Sequence, residues 1–280
     1  MSAATPAPTD PAARYAAFRA LHHADRPLML PNAWDHASAA ALAARGFAAI
    51  GTTSLGVAVA GGKPDAAGAT RDETVALARG LAKLPVLVTV DIEGGFSTDP
   101  DSVGALAAEL SAAGIAGLNI EDGRPDGSLT DLARQVDLIA AIKAAAPAMF
   151  VNARTDAYWL SGAHGDPLAE TLHRTAAFVE AGADGLFVPS LPDDETIAAV
   201  VKSTDAPLNV LYAQGRHTYA RLAELGVARI SCGSLLFRAA LHSAVELAAA
   251  IVAGTDTSGA GSGVPSYAEA LGLADAFDEA

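Results

Sequence analysis

The chain has 280 residues, of which 51% are apolar and 18% charged, with a formal charge of −14. That is ample material for a single buried core, and an α/β barrel of about 250 residues fits without a second domain. The acidic balance excludes nucleic acid and anionic membrane surfaces as partners, because both require a basic footprint, and a lone cysteine, Cys232, excludes an internal disulfide or a cysteine metal cluster.

Residues 1–26 read as a leading segment and a helix without the basic and apolar regions of a signal peptide. No apolar run is expected to reach the roughly 20 residues of a bilayer span, so a cytoplasmic location follows by default. A barrel domain is expected over 27–253, opening with a strand at 28–31. From there four segments repeat one plan, a helix ending near a glycine and then a short apolar strand: Gly46-Phe-Ala-Ala-Ile, Gly114-Ile-Ala-Gly-Leu, Gly182-Ala-Asp-Gly-Leu and Gly226-Val-Ala-Arg-Ile. The first three recur at equal intervals, about twice a βα unit of ~30–35 residues, so one further strand should lie inside each interval.

Apolar runs at 86–91, 149–154 and 207–211 supply the missing strands, giving eight. Helical stretches at 72–82, 103–113, 131–145, 168–181 and 218–225 separate them. Alternating helices and doubly buried strands define an α/β fold, a (β/α)8 TIM barrel, with an open doubly wound sheet as the structural alternative. An apolar helix at 235–252, a Gly/Ser linker from 254 and a short last helix at 267–277 complete the chain as a helical extension over 254–280.

In a barrel, chemistry belongs where each strand ends. Those ends are polar: Gly51-Thr-Thr-Ser-Leu-Gly56, Asp91-Ile-Glu-Gly-Gly95, Asn119-Ile-Glu-Asp122 and Asn152-Ala-Arg-Thr-Asp156. Asp91 and Glu93, two apart on a strand, should share a face and repel unless a cation lies between them; with Glu121 they suit a hard ion such as Mg²⁺, or Mn²⁺ in its place. Gly94 and Gly95 would let backbone approach a ligand, and Arg154 offers a bidentate partner for a substrate carboxylate. Taken singly, Asp122 and Asp156 read as caps or solvated loop residues. Asp99 and Asp101 read as helix caps, Asp193, Asp194 and Glu195 as a first helical turn complementing the dipole, His36 as a loop or site residue, His164 and His217 as loop residues, and Cys232 as a core residue.

These segments, with Pro31-Asn-Ala-Trp-Asp-His36, resemble the isocitrate lyase/phosphoenolpyruvate mutase superfamily over about 27–254. The resemblance implies metal-binding acids at Asp91, Glu93 and Glu121, with Asp65 as an outer, water-mediated one; Glu93 stands where the family commonly has Asp. It implies that Thr53, Ser54 and Leu55 cradle the substrate's 2-oxo carboxylate and that Arg154 binds substrate. Asn119, Arg124 and Asn152 in the same segments are assigned to substrate binding. It also implies a last helix exchanged between subunits, hence a homodimer or homotetramer. The segment Glu121-Asp-Gly-Arg-Pro-Asp-Gly-Ser-Leu-Thr130 holds neither the cysteine nor the histidine of the isocitrate lyase loop, and position 189 is Pro where the mutases have His.

The expected activity is therefore Mg²⁺-dependent C–C cleavage or decarboxylation of a small anionic 2-oxo or 2-hydroxy acid through an enolate. The alternatives are P–C chemistry on phosphonopyruvate, a barrel that binds a metabolite without turning it over, and a Schiff-base aldolase, for which no lysine stands at a strand end.

Overall fold

The computed structural model describes residues 7–160, 166–255, 257 and 263–278. His164 and most of the Gly/Ser linker lie outside them. Nine parallel strands form one sheet: β1 (Leu28–Leu30), β2 (Asn32–Ala33), β3 (Ala49–Thr52), β4 (Leu87–Asp91), β5 (Gly117–Glu121), β6 (Phe150–Arg154), β7 (Gly185–Phe187), β8 (Leu208–Leu211) and β9 (Arg229–Ser231). From β2 onward each strand pairs with the next, and β1 pairs with β9. The eight expected barrel positions are present. The first is broken in two, because Pro31 has no N–H to give the ladder.

The barrel closes across that break. β1 faces β9 and β2 faces β3, while the Pro31 carbonyl still accepts from Gly51 N at 2.9 Å. One buried side chain ties the two sides together: Asn32 donates through Nδ2 to the Thr52 carbonyl (2.8 Å) and accepts through Oδ1 from the backbone N–H of Cys232 and of Gly233, each at 2.9 Å. Every polar atom of that amide thus serves a neighbouring strand end.

The four repeat glycines adopt positive φ, 97° at Gly46, 106° at Gly114, 101° at Gly182 and 83° at Gly226. They end helices in a conformation that costs other residues about 1–2 kcal/mol. They stand at helix ends, as the repeat predicts, and β3, β5, β7 and β9 each begin three residues after them.

Around the strands lie α1 (Pro11–His22), α2 (His36–Ala44), α3 (Ser54–Ala60), α4 (Arg71–Leu81), α5 (Pro100–Ala113), α6 (Leu132–Ala145), α7 (Pro167–Glu180), α8 (Asp194–Lys202) and α9 (Tyr219–Glu224). Asp99 caps α5, as read from sequence; Asp194 and Glu195 lie in the first turn of α8, as expected, while Asp193 is its cap. α1 covers the N-terminal end of the barrel. Its Phe18 packs among Leu28, Leu30, Ala49, Leu87 and Phe150, and His22 stacks on Phe150 at 4.2 Å.

α10 (Leu235–Ala253) departs from this packing. Only Phe237 is buried on it, while Val245 is 64% and Val252 90% exposed. Its 19 residues suffice, by length and composition, to cross a bilayer, which corrects the expectation that no run of that kind exists; Arg238, His242 and Glu246 interrupt it. After α11 (Tyr267–Leu271), a last turn (Ala274–Phe277) returns to this chain's own barrel, where the Phe277 ring meets His36 at 5.0 Å.

Candidate active site

β4, β5 and β6 end on Asp91, Glu121 and Arg154, and the register sets Asp91 beside Asn119 and Glu121 beside Arg154. Arg154 is shared between two carboxylates: Nη1 meets Glu121 Oε2 at 2.5 Å and Nε donates to Asp156 Oδ1 at 2.7 Å. The rings of Phe187 and Trp159 flank its guanidinium at 5.4 and 5.9 Å.

Asp156 N donates in turn to Asp122 Oδ1 (2.8 Å), and the other Asp122 oxygen meets Arg174 Nη1 at 3.2 Å. Both acids are buried, so the reading of each as a cap or solvated residue does not hold. They form a charged chain behind Arg154 that sets its direction.

Burial pushes the Asp91 carboxyl above its ordinary range, with Asp65 and Glu93 adding to the effect and Arg154 opposing it. Burial likewise pushes Glu121 up to about 8, against Arg154 and with Asp91, Asp156 and Asp65. For Arg154 burial acts downward, but Glu121, Asp156 and Asp91 outweigh it and hold the guanidinium charged. The mouth is therefore a set of crowded acids around one fixed cation. Asp65 Oδ1 is buried there without a hydrogen-bond partner among the described residues.

Glu93 is placed otherwise than expected. β4 stops at Asp91, and Glu93 lies beyond it with φ 51°, so strand alternation no longer applies and the two side chains do not share a face. Its Oε2 accepts from Gly68 N at 2.8 Å and its Oε1 from Thr70 Oγ1 at 2.7 Å. The carboxylate is engaged in holding the 65–70 segment, which carries Asp65.

Thr53, Ser54, Leu55, Asp65, Asp91, Asn119 and Arg154 line one cavity of about 120 Å³, with Trp159 and Phe187. That volume is well below the ~300 Å³ at which drug-sized sites begin, and suits a molecule of a few heavy atoms. The Thr53 N–H is committed to the Ala33 carbonyl at 3.0 Å. Ser54 and Leu55 open α3, where amides have no intrahelical acceptor.

The remaining assignments are placed as follows. Gly94 and Arg124 line an adjoining cavity of about 480 Å³, and Arg124 also lines one of about 140 Å³ with Ser54, Asp65, Glu121 and Arg154. Gly95 has φ 93° and lies where a Cβ would come within 2.8 Å of Val103, so its glycine serves the turn. Asn152 is buried behind Asn119, donating to its Oδ1 at 2.9 Å. His36 abuts Gly80 and Phe277 and lies away from the cavity, His217 accepts from Ala213 N, and Cys232 is buried. Asn32, Trp159 and Phe187 are cavity residues that sequence reasoning passed over. For Trp159 the available signal was an aromatic just past the Arg154 strand end.

Among the described residues no three Asp, Glu, His or Cys side chains stand close enough to ligate one ion together. The donor set fits a hard, hydrated ion held by one or two carboxylates and otherwise through water, the usual habit of Mg²⁺. The orphaned Asp65 oxygen and the mutual repulsion of Asp91 and Glu121 favour a cation at this mouth.

A closed parallel barrel whose acids and guanidinium gather at the C-terminal strand ends has the architecture of a TIM-barrel enzyme. The chain belongs to the phosphoenolpyruvate phosphomutase family, whose model matches residues 18–252, within the isocitrate lyase/phosphoenolpyruvate mutase superfamily. It is 47% identical over 234 residues to an uncharacterized protein of Mycobacterium tuberculosis, covering 84% of this chain and 88% of that one. It is 32% identical over 248 residues to oxaloacetate decarboxylase of Pseudomonas syringae pv. tomato, covering 82% and 81%. Among solved structures, phosphonopyruvate hydrolase in complex with oxalate and Mg²⁺ matches with a TM-score of 0.81 at 25% identity, covering 93% and 94%.

Proposed function

We propose that the chain breaks a C–C bond of a small 2-oxo or 2-hydroxy dicarboxylate so that an enolate forms, as a lyase or decarboxylase. The observation that carries this reading is the cavity of about 120 Å³, in which the Arg154 guanidinium, the Asp91 carboxylate and the opening amides of α3 face one small space.

Mg²⁺, or Mn²⁺ in its place, would be held by Asp91, with Asp65 and Glu121 reaching it directly or through water, and when bound supplies Lewis acidity toward a 2-oxo group and its carboxylate. Glu93 serves the same site by fixing the segment that carries Asp65. Arg154 has used Nε and one Nη1 proton on Asp156 and Glu121, which leaves Nη2 to orient a substrate carboxylate. As the C–C bond breaks, its electron pair stays on the fragment that becomes the enolate, and the Ser54 and Leu55 N–H groups donate to the oxygen where charge gathers. Release of CO₂ needs no acid at that step, in keeping with a 121–130 segment that has no Cys and no His. Trp159 covers the rim and limits water.

The test is consumption of oxaloacetate, 2-methylisocitrate, isocitrate and phosphonopyruvate with and without Mg²⁺, beside Glu121→Ala. Metal-dependent turnover of a C–C substrate that falls at least about 100-fold in the variant supports the reading. Turnover of phosphonopyruvate alone transfers the site to P–C chemistry; inactivity on the whole panel, with oxalate still bound, transfers it to metabolite binding.

We also propose that the uncovered face of α10 packs on another copy of this chain, giving a homodimer or homotetramer. Exposed Leu241, Val245, Ile251 and Val252 support that assembly.

A further inference from the structure

Arg229 is the largest fully buried side chain among the described residues, a cation at the start of β9, whose sequence is Arg-Ile-Ser. Among the described residues no carboxylate forms an ion pair with it; burial lowers its pKa and the more distant Asp91 carboxylate opposes that. Its one acceptor is Asn119 Oδ1 at 3.1 Å, and its Nε and Nη1 have no partner among the described residues. A buried, unpaired cation destabilises a fold, and an apolar side chain of similar volume would remove that burden.

Two groups bear on its role. On the side of α1, His22 Nδ1 faces the Phe18 carbonyl at 2.8 Å. A carbonyl only accepts, so Nδ1 carries the proton, and Nε2 is left as a buried lone pair without a partner among the described residues. Burial and the field of Arg229 keep that ring neutral. On the cavity side, Asn119 Oδ1 accepts from both Arg229 Nη2 and Asn152 Nδ2. Arginine has no acceptor, so the Asn119 atom that meets it must be the oxygen; the amide cannot flip without setting N–H against N–H. Nδ2 is then the end of the amide available to the cavity that Asn119 lines, beside Asp91 in the register.

We propose that Arg229 is a positioning residue: buried behind Asn119 and donating to its Oδ1, it locks the Asn119 amide so that Nδ2 donates to an anionic oxygen of the bound acid. Asn119 is the group that touches the ligand, and Arg229 acts through it. This rests on the function proposed above, in which a small carboxylic acid occupies the cavity.

The test is calorimetric titration of oxalate in the presence of Mg²⁺ into the wild type, Asn119→Ala, Arg229→Met and the double variant, with the melting temperature of each. Each single substitution should weaken oxalate binding about 10- to 100-fold, the loss of one hydrogen bond to a charged group. The double variant should bind no more weakly than Asn119→Ala alone, since Arg229 has nothing left to position. Arg229→Met should melt at or above the wild-type temperature, and Arg229→Lys should recover part of the affinity. Should Arg229→Met fail to fold, Arg229→Lys and Asn152→Ala carry the test, each weakening oxalate several-fold only while Asn119 is present. Wild-type affinity in the Arg229 variants, or losses that simply add, would overturn the positioning role and leave the proposed function standing. A wild type that binds no oxalate overturns both.

Discussion

Among single residues, His22 joins charge to stability most directly. It is buried against Phe18 and Phe150, and burial, aided by Arg229, depresses its pKa from 6.5 to about 3. The unfolded chain therefore binds a proton below pH 6.5 that the folded one refuses. Stability is complete above pH 6.5 and is lost as pH falls toward 3, by at most about 5 kcal/mol. Urea unfolding between pH 7 and 4.5 should show that decline, and His22→Leu should flatten it; an unchanged slope in the variant would place the acid sensitivity elsewhere. At this scale Asp91, Glu121 and Arg154 were legible because strand ends in a barrel converge, whatever the loops do. Glu93 was not, since a single positive φ redirects its side chain and no spacing rule reports φ. Arg229 was visible as a lone charge in an apolar run, but its meaning depends on Asn119, which lies 110 positions away in the chain.

At the scale of elements, the broken first strand decides how the barrel closes. Asn32 supplies three hydrogen bonds across the break, two to backbone N–H groups and one to a carbonyl. Asn32→Ala would leave those groups buried and unpaired, at a cost of about 2–4 kcal/mol, read as a lower urea midpoint with an unchanged slope. An equal midpoint would mean that water replaces the amide without loss. The helix caps and the order of strands were legible from glycine and aspartate chemistry, which is local. The break at Pro31 was not, because 28–31 reads as a single apolar run until its two halves are seen to pair with different neighbours.

At the scale of the whole molecule, α10 sets the protein's dealings with others. Its apolar side chains face outward, and Leu241→Glu with Val245→Glu should convert the assembly to monomers by light scattering. A wild type that is already monomeric would remove the basis for self-association. The fold class was legible because eight βα units admit few arrangements, whereas the outward face of α10 depends on packing that its composition does not report.

The seam at Asn32 also governs when the molecule can come into being. Its amide bridges positions 200 residues apart, and β1 finds its only partner in β9. A chain emerging from the ribosome can assemble β2 through β8 in order, yet its first strand waits as an open edge until residues 229–233 have been made. Closure is thus a late, long-range event that sets the pace of maturation, and the cavity floor, which rests on Asn119 and Arg229, is completed only with it.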